Sequence, residues 1–387
     1  MDRITRILQN RVESFSRRMH SGTRSTRLTV QLGRWLGPAF LLCFVTGIFS
    51  HLLQEPGSLP LFPLRPVWIY QLSQGVHLVT GIAAIPLLLA KLWSVYPELL
   101  RWPPIRNLRD VLERGSIALF VAASLIELTI GLINTYKWYP WPFPFRQTHY
   151  WLAWLIIGSL VLHIAVKLPL IARHWRKNKA LKDSPRPVGG WTRRGLLTGV
   201  GLSATAVVLS TAGQSFSWLA PFNIFAPRRQ NTGPQAVPVN RSAAEAGISP
   251  AAVGDGWRLR LVYRGRSLEL SLRQLGRLPM AEYELPVACV EGWSQSARWR
   301  GVPVRDLVAL MGAPAGSTLR ITSLEVAGNY RQMTMPGAYS QDEQTLLALE
   351  LNGEPLDLDH GFPARVMAPG RPGVLQTKWV SSVEVLG

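Results

Sequence analysis

Five apolar runs, at residues 35–53, 70–95, 115–135, 149–172 and 195–213, set the first constraint on this chain. Each is near the roughly 20 residues that an α-helix needs to cross a bilayer. Their connections alternate in charge. Residues 96–114 carry Arg101, Arg106, Arg109 and Arg114, and 173–194 carry Arg173, Arg176, Lys177, Lys179, Lys182, Arg186, Arg193 and Arg194. The segments 54–69 and 136–148 are nearly uncharged and rich in proline and aromatic residues. Residues 1–34 are basic and polar and lack a cleavable signal pattern. By the positive-inside rule they stay in the cytoplasm, the first helix runs outward, and the fifth delivers residues 216–387 to the extracytoplasmic face of the cell membrane.

The net charge of +19 could in principle mark a nucleic-acid binder, so its location matters. Residues 216–387 carry 17 Lys and Arg against 15 Asp and Glu, which leaves +17 to residues 1–215. The charge follows the membrane runs and reads as topology, with no nucleic-acid partner expected. Of the two cysteines, Cys43 falls in an apolar run and Cys289 outside them, so an internal disulfide is not expected. No Cys-x-x-Cys-His occurs, which excludes a c-type haem.

Cys289 stands in a polar run, Pro286-Val-Ala-Cys289-Val-Glu-Gly-Trp-Ser294, followed by Arg298-Trp-Arg-Gly-Val-Pro303. Inert cysteines usually sit in apolar interiors, so this thiol is a candidate ligand. The stretch closely resembles the molybdenum-binding segment of the sulfite oxidase family, and Leu351-Asn-Gly-Glu-Pro-Leu356, His360-Gly-Phe-Pro-Ala-Arg365 and Lys378-Trp379 resemble that family's later cofactor-binding run. The resemblance implies that Cys289 ligates molybdenum held by a molybdopterin. It also implies that His360, Arg365 and Lys378 hold the anionic pterin by charge-assisted hydrogen bonds. Val239-Asn240-Arg241 hints at the family's earlier cofactor contacts, with Asn240 as the candidate. Leu259, Leu261 and Tyr263 alternate, Gly265 turns, and Leu268, Leu270 and Leu272 alternate again, a hairpin pattern. Asp306 to Leu310 reads as a short helix and Trp379 to Val385 as a closing strand. An α+β domain of the sulfite oxidase type is therefore expected.

The fifth run differs from the others, being small and weakly hydrophobic, with Gly195, Gly199, Gly201, Ser203, Thr205 and Ser210. It follows Thr192-Arg193-Arg194-Gly195-Leu196-Leu197, which resembles an internal twin-arginine export signal, a route for folded, cofactor-loaded proteins. The alternative is an ordinary helix with basic flanks and a Gly-x-x-x-Gly packing face.

Histidines inside membrane helices are costly unless partnered, and His51, His77, His149 and His163 are therefore candidate ligands. His149 and His163 are 14 residues apart, about 21 Å along a helix and close to a whole number of turns. They share one face at two depths, as two stacked haems require. Together with Gly75-Val-His77-Leu-Val-Thr-Gly81, this resembles the cytochrome b subunits of respiratory formate dehydrogenases and nickel–iron hydrogenases. The resemblance implies an outer haem b between His77 and His149. The inner haem lacks its expected first-helix histidine, since Gly33-Arg34-Trp35 stands there. Either His163 has another partner, or one haem binds, or His51 rearranges the pairing. Glu127, the acidic residue well inside the apolar runs, either exchanges protons at a quinone site or bonds a neighbouring helix.

The expected organisation is a basic N-terminus (1–34), a four-helix cytochrome b-like membrane domain (35–172) and a basic loop (173–194). A fifth membrane helix (195–213), a linker (214–250) and a molybdopterin-binding oxidoreductase domain (251–387) follow. The expected function is oxygen-atom transfer on a small substrate outside the cytoplasm, coupled through b-type haem to the quinone pool. An S- or N-oxide reductase and a sulfite-type dehydrogenase both fit. The rival expectation is a non-catalytic electron-transfer or docking protein with a degenerate pterin domain.

Overall fold

A computed structural model describes residues 26–54, 64–99, 108–175 and 192–386, together with Ser14. Most of the basic N-terminus, residues 55–63 of the first connection, residues 100–107 and most of the basic 173–194 loop lie outside the described residues. The chain divides into two compact units. One comprises residues 1–45 and 77–210, and the other residues 46–76 and 211–387.

Among the described residues, five long helices precede the C-terminal region: α1 (Thr26–Gln54), α2 (Ile69–Leu99), α3 (Leu108–Thr135), α4 (Phe145–Trp175) and α5 (Arg193–Thr211). All five are long and apolar enough to cross a bilayer. Helix α1 starts well before its apolar run, because Leu28 and Leu32, one turn apart, are already buried among polar neighbours. Leu36 and Phe40 continue that stripe and pack with Ala84, Leu88, Phe120, Ala123 and Ile156. The Phe40 and Phe120 rings meet edge to face at 5.5 Å. Charged groups within these helices find partners: Lys167 meets Glu113, and Lys91 Nζ donates to the Thr29 carbonyl at 3.3 Å. No residue of α5 is buried.

The other unit is β-rich. One five-stranded sheet has the order β2-β1-β10-β5-β6, from β1 (Arg258–Tyr263), β2 (Arg266–Ser271), β5 (Leu319–Ser323), β6 (Gln332–Met335) and β10 (Val380–Val385). The second runs β3-β4-β7-β8, from β3 (Ala281–Ala288), β4 (Ser294–Pro303), β7 (Leu346–Leu351) and β8 (Glu354–Pro355), with β9 (Arg365–Met367) paired to β7. The expected hairpin is present: Leu259 opposes Leu270 and Leu261 opposes Leu268, joined through Arg264 and Gly265, both at positive φ. β1 and β10 pair in parallel, which places the last described strand at the centre of the sheet, between β1 and β5.

Inward residues of both sheets, among them Leu259, Leu261, Ile321, Val383, Val302, Leu347 and Val366, form one core. Helices here are short: α6 (Leu272–Leu275), α7 (Val304–Leu310) and α8 (Gly337–Ser340). Pro303 starts α7, and Gly312, at φ 67°, turns the chain away just after it. The α+β expectation therefore resolves into a β-rich domain with single-turn to two-turn helices. Residues 214–250, read above as a linker, are packed into this unit. Ser215 Oγ donates to the Gly292 carbonyl, Gln230 Nε2 to the Ser294 carbonyl at 2.8 Å, and Ala243, Ala246 and Ile248 are buried against Trp379.

Candidate functional site

Cys289 sits where β3 ends and the chain turns into β4. Its N–H donates to the Trp293 carbonyl at 2.9 Å, and the Gly292 N–H donates back to the Cys289 carbonyl at 3.0 Å. Gly292 adopts φ 91°, a conformation that favours glycine and closes this tight loop. The thiol is 1% exposed and packs among Val287, Trp293 and Trp299. The polar residues beside it are buried too. Glu291 accepts from Trp293 Nε1 at 3.2 Å, and Arg228, from the 214–250 segment, approaches it at 3.7 Å.

Burial pushes the Cys289 thiol well up from its ordinary value and Glu291 adds to the rise, while Lys378 and Arg228 pull the other way. The free thiol therefore stays protonated at neutral pH. A bound metal cation would displace that proton.

Three buried cations gather in the same unit without a carboxylate ion pair among the described residues. Arg365, on β9, is 4% exposed, lies over the Trp299 ring at 5.2 Å, and reaches the His360 carbonyl only at 3.4 Å. Its Nε has no partner, and burial pulls the guanidinium down to about 10. Lys378 spends two of its donors on the Arg241 and Asp359 carbonyls, both at 2.8 Å. Burial and then Arg365 hold it well below the usual lysine range. Arg371 is 3% exposed, donates to the Thr334 carbonyl at 2.7 Å, and leaves Nη1 without a partner; burial pulls it down to about 10.

His360 points Nε2 at the Pro234 carbonyl at 2.8 Å, so that nitrogen carries the proton and Nδ1 is an acceptor. Burial and then Arg365 push it down to about 4, which keeps the ring neutral at pH 7. Gln376 Oε1 and Thr377 Oγ1, the two residues before Lys378, are buried and unpartnered as well.

Native interiors rarely strand so many polar groups, and buried cations are normally paired. The set fits an anionic ligand rich in hydrogen-bonding groups, as a pterin phosphate is. Cys289 interacts electrostatically with both Arg365 and Lys378, so the soft donor and the cations serve one locality. Asn240 is half-buried and immediately precedes Arg241, whose carbonyl anchors Lys378.

Sequence reasoning missed Arg371, Gln376, Thr377 and Arg228. Arg371 lies in Pro369-Gly-Arg-Pro-Gly373, which reads as an exposed turn. Its burial comes from tertiary packing: a Cβ on Gly373 would stand 2.9 Å from the Ala288 carbonyl.

In the helical unit, the His77 and His149 ring centres are 6.1 Å apart with planes inclined by 75°. Two imidazoles that shared one iron would have centres roughly 6 Å apart, so His77 and His149 are spaced as residues that would hold a haem. His77 Nδ1 stands 2.8 Å from the Cys43 carbonyl, and His149 Nδ1 stands 3.1 Å from Glu127 Oε1. Of the two roles open to Glu127, the contact made is with a neighbouring helix. Gly131 leaves room for the His149 ring, since a Cβ there would come within 3.3 Å of Cε1. Among the described residues, His163 has a buried Nδ1 without a hydrogen-bond partner. His51 belongs to the unit that holds Cys289, whereas His77, His149 and His163 belong to the helical unit.

Residues 246–387 match the family described as the oxidoreductase molybdopterin binding domain. The chain is 33% identical over 163 residues to the mitochondrial sulfite oxidase of Rattus norvegicus, covering 34% of this chain and 29% of that protein. It is 34% identical over 113 residues to the sulfite oxidase of Arabidopsis thaliana, covering 24% of this chain and 29% of that protein. It is also 29% identical over 115 residues to a candidate protein-methionine-sulfoxide reductase subunit, YedZ1, of Azospira oryzae, covering 30% and 43%. The chain thus spans less than half the length of these relatives. The C-terminal region carries a molybdopterin-binding oxidoreductase domain of the sulfite oxidase type.

Proposed function

We propose that the chain is a membrane-bound, molybdopterin-dependent oxidoreductase that transfers an oxygen atom to or from a small substrate outside the cytoplasm and exchanges electrons with quinone through b-type haem. The observation that carries it is the set Arg365, Arg371 and Lys378, buried without a carboxylate ion pair in the unit that also buries the Cys289 thiol. When bound, molybdopterin supplies two-electron oxygen-atom transfer. The chain's residues do the rest. Cys289 gives up its proton to become the protein's sulfur ligand, as soft metal ligation requires. Arg365 and Lys378 balance negative charge on the pterin, and neutral His360 offers an acceptor at Nδ1. Asn240 joins this set at the end nearest Arg241.

The four helices α1 to α4 are taken as a cytochrome b-type bundle, supported by the His77 and His149 spacing. In it, Glu127 Oε1 lies 3.1 Å from His149 Nδ1 and would orient the ring electrostatically, the usual role of a carboxylate behind a ligating histidine. His163 and His51 remain the candidates for a second haem. The alternating loop charges support placing the C-terminal domain outside, and Arg193 and Arg194 at the start of α5 support twin-arginine export.

Molybdenum and haem quantified on one membrane preparation test the proposal. One molybdenum and at least one haem per chain are expected, and absence of molybdenum from fully matured protein overturns it in favour of a non-catalytic docking protein. Offering sulfite with an acceptor, and methionine sulfoxide with a donor, separates the dehydrogenase from the reductase.

A further inference from the structure

Among the described residues after Ala226, the large apolar side chains that stand exposed are Leu268, Leu310 and Val326, far apart in sequence. Single exposures of that kind are ordinary on a protein surface. Residues 217–225 depart from the pattern, with four in nine positions: Trp218 (71% exposed), Phe222 (55%), Ile224 (66%) and Phe225 (64%). The stretch is built into the domain. It begins in a 3-10 turn, Ser217–Phe222, whose Leu219 is buried, and Asn223 Nδ2 donates to the Arg228 carbonyl at 3.3 Å. Just before it, Ser215 Oγ donates to the Gly292 carbonyl, and Ser294 Oγ donates to the Ser215 carbonyl at 2.9 Å. These bonds tie it to the loop that carries Cys289.

Its place in the chain points to what covers it. The fifth apolar span ends at Gln214. At no more than about 3.6 Å per residue, the Trp218 backbone stays within roughly 14 Å of that end, beside the headgroup layer where tryptophan and other aromatic side chains gather. The start of α2, in the same compact unit, repeats the arrangement: Trp68, 52% exposed, immediately precedes the span Ile69–Tyr96. That end of α2 is fastened to the domain as well. Tyr70 packs with Ala288, Ser50 Oγ bonds both Tyr70 and Gln74, and a Cβ on Gly75 would collide with the Phe216 ring, whose centre is 6.2 Å from that of Trp218. Residues 212–244 contain no Asp or Glu, and Arg229 is exposed among them, so the stretch carries nothing that repels phosphate headgroups.

We propose that residues 217–225 and Trp68 lie in the headgroup layer of the leaflet on the Cys289 side, forming a lipid-bound seat that holds the Cys289 loop at the membrane surface. It rests on the reading above that the long helices cross a membrane. Unlike those helices, the seat enters one leaflet only, with its apolar side chains in lipid and its backbone bonded to the domain.

The test uses the full chain in nanodiscs of phosphatidylethanolamine and phosphatidylglycerol. Phe225→Cys carries a nitroxide, with Leu268→Cys on the edge strand β2 as the aqueous reference and the labelling of the unaltered chain subtracted. At position 225, relaxation by oxygen, which concentrates in lipid, is expected to exceed relaxation by a water-soluble nickel chelate, and the order is expected to reverse at position 268. Nickel access at 225 equal to that at 268, in protein that remains in the discs, overturns this inference alone. Shielding of 225 from both reagents also overturns it, because a protein partner or a second copy then covers the patch. A chain that alkaline carbonate washes out of native membranes overturns it together with the membrane reading. As a second measurement, the triple variant Trp218→Ser, Phe222→Ser, Phe225→Ser alters exposed side chains only. It is expected to speed amide exchange across 217–225 in nanodiscs while the 258–271 hairpin exchanges as before; unchanged exchange across 217–225 contradicts the seat.

Discussion

The two units partner their charged groups differently. In the helical unit Lys167 meets Glu113 and His149 Nδ1 lies 3.1 Å from Glu127, while Lys91 has a backbone carbonyl and His163 Nδ1 is buried without a hydrogen bond. In the β-rich unit Arg365, Arg371 and Lys378 are buried with carbonyls and aromatic faces for company and no carboxylate ion pair. A lipid-embedded segment has no water to borrow from, and its polar groups must be matched in place. A domain that receives a charged cofactor can leave cations waiting, at a cost in stability that binding returns. Among the described residues, buried cations without a carboxylate thus support the proposed cofactor site, while the helices offer mainly the spacing of His77 and His149.

The comparison breaks most sharply at Cys289. Cys289→Ser is expected to abolish turnover while leaving haem absorption intact; activity near that of the wild type would remove the thiolate from the chemistry. His149→Ala is expected to delete a haem band from the reduced-minus-oxidised spectrum without lowering molybdenum content, and an unchanged spectrum would mean that the pair with His77 is only a packing contact.

Smaller effects sharpen the contrast in stability. For Lys378→Met in protein from cells unable to make the cofactor, thermal unfolding should show a gain of about 1–3 kcal/mol, because an unpaired buried charge is gone. The same substitution should weaken cofactor retention. A loss of stability in the cofactor-free protein would show that Lys378 is satisfied without a ligand.

His360 adds a pH signature. Its folded value of about 4 lies below its ordinary 6.5, so between those values the unfolded chain binds more protons. Stability of the cofactor-free protein should therefore fall as pH drops from 6.5 towards 4, and His360→Gln should flatten that slope. Least of all, Arg300→Ala, which removes an exposed pair with Glu350 at 2.7 Å, should cost under about 1 kcal/mol in the same unfolding assay.

Much of this was legible in the sequence where local pattern decides structure. The apolar runs gave the five helices, alternation around Gly265 gave the hairpin, and the Cys289 and His360 to Lys378 stretches fall within the residues that match the molybdopterin-binding family. What stayed hidden depends on tertiary packing. The start of α1 at Thr26 was missed because Leu28 and Leu32 are spaced for one helical face instead of forming a run. Arg371 looked like a turn residue until packing buried it, and nothing local to Ser50, Tyr70 or Gln74 announces that they share a cluster beside Ala288.

The most direct measurement is X-ray absorption at the molybdenum edge of the purified chain, wild type against Cys289→Ser. Loss of one sulfur neighbour in the variant is the predicted result. An identical sulfur shell in both proteins would contradict the assignment of Cys289 as the protein's ligand to molybdenum.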